Sequence, residues 1–176
     1  MKIVDIFAEE YPGHLHAFMY IKYDTNEYDR LMELWTDVDY LRTFAKKNKV
    51  ENINQFVKQR LRDAENIQDL IDELLQESQP LEHYFRPLHD QETGIKILSR
   101  QKGKTSSKDG LRLYAIKIDT NCFVITGGAI KMSQTMDGHE GTREELKKIN
   151  KAKDYLKEND VFDEDSFFEF NLENEL

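Results

Sequence analysis

The stretch Gly94–Lys131, GIKILSRQKGKTSSKDGLRLYAIKIDTNCFVITGGAIK, decides the reading of this chain. Three segments in it, Gly94–Lys102, Leu111–Asp119 and Cys122–Lys131, are rich in apolar and β-branched residues and are parted by polar breaks, as strands are. KTSSKDG is a loose connection, whereas Asp119–Thr120–Asn121 is short enough for a tight hairpin. In the first segment alternation sends Lys96, Leu98, Arg100 and Lys102 to one side, and Ile95 and Ile97 to the other. In the second, Arg112, Tyr114, Ile116 and Ile118 share a face opposite Leu113, Ala115 and Lys117. The third is almost wholly apolar until Lys131, which predicts a central or covered strand. Gly127–Gly128 inside it predicts a bulge or a close backbone approach, not a phosphate loop.

The stretch carries eight Lys or Arg side chains against Asp109 and Asp119, in a chain whose formal net charge is -9. Residues 1–92 hold 11 basic and 19 acidic side chains, residues 93–157 hold 14 and 7, and residues 158–176 hold 8 acids alone. Cations clustered on a short sheet are what a phosphate-gripping surface needs. A basic middle between acidic ends predicts either a masked nucleic-acid surface or a well-paired globule.

Upstream, Lys2–Glu9 and His14–Lys22 read as strands, and the YPG between them predicts a hairpin. Asp24, Thr25 or Asn26 can cap a helix with apolar positions Tyr28, Leu31, Met32, Leu34 and Trp35, kinked near Asp37–Asp39 and ending at Lys46, Lys47 and Lys49. A second helix starts at Asn52 or Asn54. Its stripe runs through Phe56, Val57, Leu61, Ala64, Ile67, Leu70, Ile71, Leu74 and Leu75, with Asn66 and Asp69 as a possible restart after a bend. Pro80 and Pro87 bracket a loop. Thr142–Glu158 reads as a helix opened by a Thr142-x-x-Glu145 capping box. It buries Leu146, Ile149, Ala152 and Leu156, with Lys147, Lys148, Lys151, Lys153 and Lys157 in water.

The expected architecture is therefore α+β, with one domain over 1–176. A twisted antiparallel sheet of about five strands carries two N-terminal helices on one face and a C-terminal helix. The parts are an N-terminal hairpin (1–22), a helical region (23–79), the basic sheet with its helix (94–158) and an acidic tail (159–176). No apolar run approaches the roughly 20 residues that span a bilayer. The start MKIVDIFAEEYPG does not read as a signal peptide, and the lone Cys122 sits in the apolar run CFVI, so a cytoplasmic protein is expected.

The order helix–helix–strand–strand–strand–helix, with FRPLHDQETGIKILSRQKGK, GLRLYAIKID and FVITGGAIKMSQTM as its strand texts, resembles the RelE/ParE toxin superfamily. The likeness is closest to the HigB-type and phage-derived branch. It covers roughly residues 15–157 and is specific over 84–157. It implies a toxin component of a toxin–antitoxin system, an mRNA endonuclease acting on the ribosome or free, with no metal and no cofactor. The antitoxin protein and RNA are the implied partners, with no membrane.

In the RNA-cleaving branch the substrate's 2′-OH attacks the adjacent phosphate while cations stabilise its developing charge. By the resemblance, Arg100, Arg112 and Lys131 match the catalytic cations, and Lys96, Lys102 and Lys104 fall where the family has supporting phosphate contacts. The proton-transfer residue of such enzymes has three candidates here, His89, His139 and Tyr155. The net acidity and the extra length at both ends depart from the family pattern. An alternative is a non-catalytic descendant of that fold that binds RNA or a protein.

Other features have plainer readings. The strand cations also suit the wet face of an antiparallel sheet. His14 and His16 lack a third metal ligand at fitting spacing, and Cys122 reads as a core residue. The ending VFDEDSFFEFNLENEL interleaves acids with Phe162, Phe167, Phe168 and Phe170. It is either a packed extension or a built-in mask over the basic sheet.

Overall fold

The structure, a computed structural model, describes residues 1–88, 98–104, 110–132 and 140–175. Strands β1 (Lys2–Asp5) and β2 (Leu15–Met19) form the expected antiparallel hairpin. Helices α1 (Glu27–Trp35), α2 (Val38–Lys47) and α3 (Ile53–Gln76) follow, then a 3₁₀ turn at Leu81–His83. Strands β3 (Arg86–Pro87), β4 (Ser99–Lys104), β5 (Gly110–Asp119) and β6 (Cys122–Lys131) lead to helices α4 (Glu140–Glu158) and α5 (Glu164–Glu175). The order across the sheet is β1-β2-β6-β5-β4-β3.

The α+β class holds, but the sheet is mixed. Among the described residues it has six strands, and β2 runs parallel to β6 through Leu15–Ala17 and Phe123–Ile125. The cause is topological. Three helices carry the chain across one face, so it re-enters the sheet at the far edge. The antiparallel meander β4–β5–β6 then works inward and brings β6 alongside β2 in the same direction.

Local sequence signals explain most boundaries. The Asn26 side chain accepts from the Asp29 N–H and caps α1, and Asn52 accepts from Gln55 N–H to cap α3. The expected kink is a full break, because Asp37 accepts from the N–H groups of Asp39 and Tyr40 and starts α2 afresh. The restart at Asn66 does not occur: α3 is continuous over 24 residues, its stripe of Ala64, Ile67, Ile71 and Leu74 being buried without interruption. The capping box at Thr142 is also not the helix start, since α4 already includes Glu140 and Thr142 lies inside it. In the first basic segment, pairing is observed from Ser99 onward, and residues 94–97 lie outside the described residues.

The sheet is covered on both sides. On one face Trp35, Leu41, Phe56, Ile71 and Phe85 pack on Leu111, Leu113, Phe123 and Ile125. On the other, Ile149, Ala152 and Leu156 of α4 and Phe167 of α5 pack on Phe18, Tyr114, Ile116 and Val124. Burial on two faces is why β6 reads as an almost unbroken apolar run. Each large apolar side chain so buried contributes about 1.5–3 kcal/mol.

The acidic tail is thus a docked helix. Phe167 packs edge-on to His16, and Phe170 edge-on to Tyr155, over the β1–β2 side of the sheet. Cys122 is a core residue, and burial pushes its thiol pKa up. No described helix is long and apolar enough to cross a membrane.

Candidate functional site

The strand cations gather on one face and toward one end of the sheet. Register sets Arg100 opposite Ile116, Lys102 opposite Tyr114 and Lys104 opposite Arg112. Arg112 in turn faces Ala129, and Lys131 faces Gly110. Alternation therefore puts Arg100, Lys102, Lys104, Arg112 and Lys131 on the face that α4 covers. Side chains directly opposite one another have Cβ atoms about 5 Å apart, so Lys104 and Arg112 leave the sheet side by side.

These cations differ in how they are held. Arg100 is half-buried, and its Nη1 donates to Asn150 Oδ1 of α4 at 2.9 Å. Arg112 is only 5% exposed, and its Nη1 donates to the Leu111 carbonyl at 3.0 Å. Burial lowers the Arg112 pKa and Arg60 adds to that, while Tyr114, Tyr84 and Asp63 oppose it. Lys102 and Lys131 are half-buried and Lys104 is exposed. Lys96, His89 and His139 lie outside the described residues. Tyr155 is not near the others: its hydroxyl donates to the Met1 carbonyl at 3.3 Å and its ring abuts Phe18. That places it on the β1–β2 half of the sheet, away from β4.

No protein-family model, curated protein or solved structure matches this chain.

A second constellation, centred on Glu27, includes none of the site residues expected from sequence, which reads Glu145 as a capping acid and Lys148 as a wet lysine. Glu27 in α1 is fully buried, yet its carboxylate accepts from Arg30 Nε at 2.8 Å, Arg30 Nη2 at 3.0 Å and Lys148 Nζ at 2.6 Å. Lys148 is therefore not a wet lysine. It turns inward from α4, lies 4.9 Å from the Tyr20 ring centroid, and also approaches Glu145 Oε1 at 3.5 Å. The Tyr20 hydroxyl donates to the Thr126 carbonyl at 2.6 Å.

The paired glycines of β6 make room for this arrangement. Thr126 is the extra residue of a bulge between the Tyr114–Gly127 and Ala115–Ile125 pairs. A Cβ on Gly127 would land on Glu145 Oε2, and one on Gly128 would meet the Trp35 ring and the Arg112 carbonyl. Both glycines thus allow close approach, one to each helical layer. Glu145 Oε2 is buried with no hydrogen-bond partner. Burial raises the Glu145 pKa and Glu27 adds to the rise, while Lys148 and Arg30 oppose it.

The signal for this cluster was partial. Glu27 with Arg30, and Glu145 with Lys148, stand three apart and so share a helix face. That the two pairs meet across the end of β2 depends on the parallel β2–β6 pairing, which local patterns do not encode.

Proposed function

We propose that this chain is a RelE/ParE-like toxin, a metal-independent endoribonuclease of the cytoplasm restrained by an antitoxin protein. The observation that supports the reading best is the register of β4, β5 and β6. It brings Lys104, Arg112 and Lys131 together on one face, with Arg100 and Lys102 along the same strand side. A run of cations at strand spacing suits successive phosphates of single-stranded RNA.

The chemistry follows from the charge. The substrate's 2′-oxygen attacks the adjacent phosphorus and the bond to the 5′-oxygen breaks, leaving a 2′,3′-cyclic phosphate and a 5′-hydroxyl. The 2′-OH loses its proton and the departing oxygen gains one. Arg112, Arg100 and Lys131 offset the charge that builds on the phosphorane oxygens. Tyr155 is engaged elsewhere, so His89 and His139 remain the candidates for proton transfer.

The test is incubation of the purified chain with end-labelled RNA, alone and on translating ribosomes. Fragments with 5′-hydroxyl and cyclic-phosphate ends, absent with Arg100→Ala/Lys131→Ala, are expected. Fragments ending in 3′-hydroxyls would contradict the mechanism.

A second reading, a non-catalytic module that binds RNA or a protein, is favoured by two facts: Arg112 is 5% exposed and Arg100 already bonds Asn150. Salt-sensitive RNA retention with no cleavage in any format would select it.

A further inference from the structure

One cavity lies beside, not on, the cationic sheet face. Parallel pairing of β2 with β6 stops at Ala17–Ile125, but β6 continues to Lys131. Past that point no described strand covers this edge of β6. Helix α1 approaches from one face and α4 from the other, and a cavity of about 600 Å³ remains between them. That is the size range of sites that enclose a small molecule, roughly 300–1,000 Å³. None of Arg100, Lys102, Lys104, Arg112 or Lys131 lines it, so a ligand held there is independent of RNA cleavage on the sheet.

The walls have a definite chemistry. Five cations, Lys22, Arg30, Lys147, Lys148 and Lys151, line the cavity against the carboxylates of Glu144 and Glu145. Lys147 is 3.0 Å from Glu144, while Arg30 and Lys148 share Glu27. No ion pair among the described residues neutralises Lys22 or Lys151, and both are exposed. In a chain with a net charge of -9, such a lining selects an anion. Flat rings stand beside the charges: Tyr23, Tyr40, Phe44 and Trp35 also line the cavity. Trp35 is 1% exposed and the Tyr23 ring already has Arg30 and Lys22 over it, so Tyr40 and Phe44 present the apolar area to an aromatic ring, which inorganic phosphate or an aliphatic acid would leave unused.

The third element is Glu145. Its Oε2 is buried without a partner against Gly127. A buried polar atom left unpaired is costly, and Glu145, whose side chain lines the cavity and can rotate, would recover that cost by turning Oε2 toward a ligand N–H or O–H. Aromatic ring, anionic group and hydrogen-bonding edge are combined in a nucleotide.

We propose that the cavity between α1, the uncovered edge of β6 and α4 binds a nucleoside monophosphate. Its base lies against Tyr40 and Phe44, its phosphate lies toward Lys22 and Lys151, and an N–H or O–H group is held by Glu145. The same chemistry is presented by a free mononucleotide or by the 5′-phosphorylated terminal nucleotide of an RNA.

Trp35 is the sole tryptophan and lines the cavity, so its fluorescence reports occupancy directly. The full chain is titrated with AMP, GMP, CMP and UMP, with the matching nucleosides, with inorganic phosphate, and with a 5′-phosphorylated tetranucleotide. Calorimetry runs in parallel. At least one monophosphate is expected to perturb Trp35 and to bind about tenfold or more tighter than its nucleoside or phosphate alone. Lys22→Glu/Lys151→Glu changes two exposed side chains, so it leaves the melting temperature unchanged and lowers that affinity by about tenfold or more. Glu145→Gln alters the ranking among the four bases. Binding of the tetranucleotide alone assigns the site to an RNA end. Equal binding of nucleoside and monophosphate, an unchanged affinity in the double variant, or no Trp35 response to any probe overturns the proposal.

Discussion

Glu27 Oε2 and Lys148 Nζ lie 2.6 Å apart although 121 residues separate them in sequence. The pair ties α1 on one face of the sheet to α4 on the other, across the point where β2 has ended and β6 has not. Glu27 has no solvent exposure and Lys148 retains 20%, so the carboxylate depends on its two cations for solvation.

Removing the shared anion should therefore cost more than removing one cation. Glu27→Ala leaves Arg30 and Lys148 without their partner and is expected to destabilise by about 3 kcal/mol. Lys148→Met leaves Glu27 its two bonds from Arg30 and should cost about 1–2 kcal/mol. Urea unfolding of both variants checks the order, and equal losses would contradict it.

The two glycines of β6 should respond differently to alanine. At Gly128 the added methyl meets backbone at Arg112 and the buried Trp35 ring, neither of which can swing away. A loss of about 1–3 kcal/mol is expected, in the range for overpacking. At Gly127 it meets the tip of the Glu145 side chain, which can rotate. Gly127→Ala should cost less, and adding Glu145→Ala should relieve what cost there is, as thermal unfolding would show.

His16 should make the docking of α5 sensitive to acid. Its ring is buried edge-on to Phe167, 4.8 Å between centroids, and neither ring nitrogen has a hydrogen-bond partner. Burial lowers its pKa below the ordinary 6.5, with the carboxylate of Asp5 opposing. The unfolded chain then takes up the proton first, so this contribution is complete above the unfolded value and is lost as pH falls through it toward the folded one. The melting temperature should drop as pH falls below about 6.5, and His16→Asn should flatten that slope.

Glu145 should act in the opposite sense. Its pKa is raised in the fold, chiefly by burial, so the native state holds this proton more tightly than the unfolded chain. Its contribution is greatest below the ordinary carboxylate value and falls as pH rises through the folded one. Glu145→Gln should remove that fall, seen as a flatter stability profile on the acid side of neutrality.

Much of the fold was legible from local chemistry. Asn26 and Asn52 marked helix starts with side chains that accept from orphan N–H groups. Alternation in Arg112–Ile118 placed Tyr114, Ile116 and Ile118 on one face, where they share a cluster. Gly127–Gly128 did mark both a bulge and close approaches. What failed was long-range. The β2–β6 pairing joins segments about a hundred residues apart, and nothing in Leu15–Met19 announces a parallel neighbour. Lys148 looked like its neighbours Lys147 and Lys151 because its partner lies in a distant helix. The tail's helix was hidden because Phe168 and Leu172 stay exposed while Phe167 and Phe170 are buried, which blurs the apolar stripe.

Growth under tightly induced expression decides whether the cations of β4–β6 make this chain a toxin. Wild type is compared with Arg100→Ala/Arg112→Ala/Lys131→Ala, with folded protein matched between them. Arrest by the wild type, release by the triple variant, and rescue of the wild type by an antitoxin protein are expected. Uninhibited growth with abundant folded wild-type protein, or arrest that persists in the triple variant, would contradict a toxin acting through these cations.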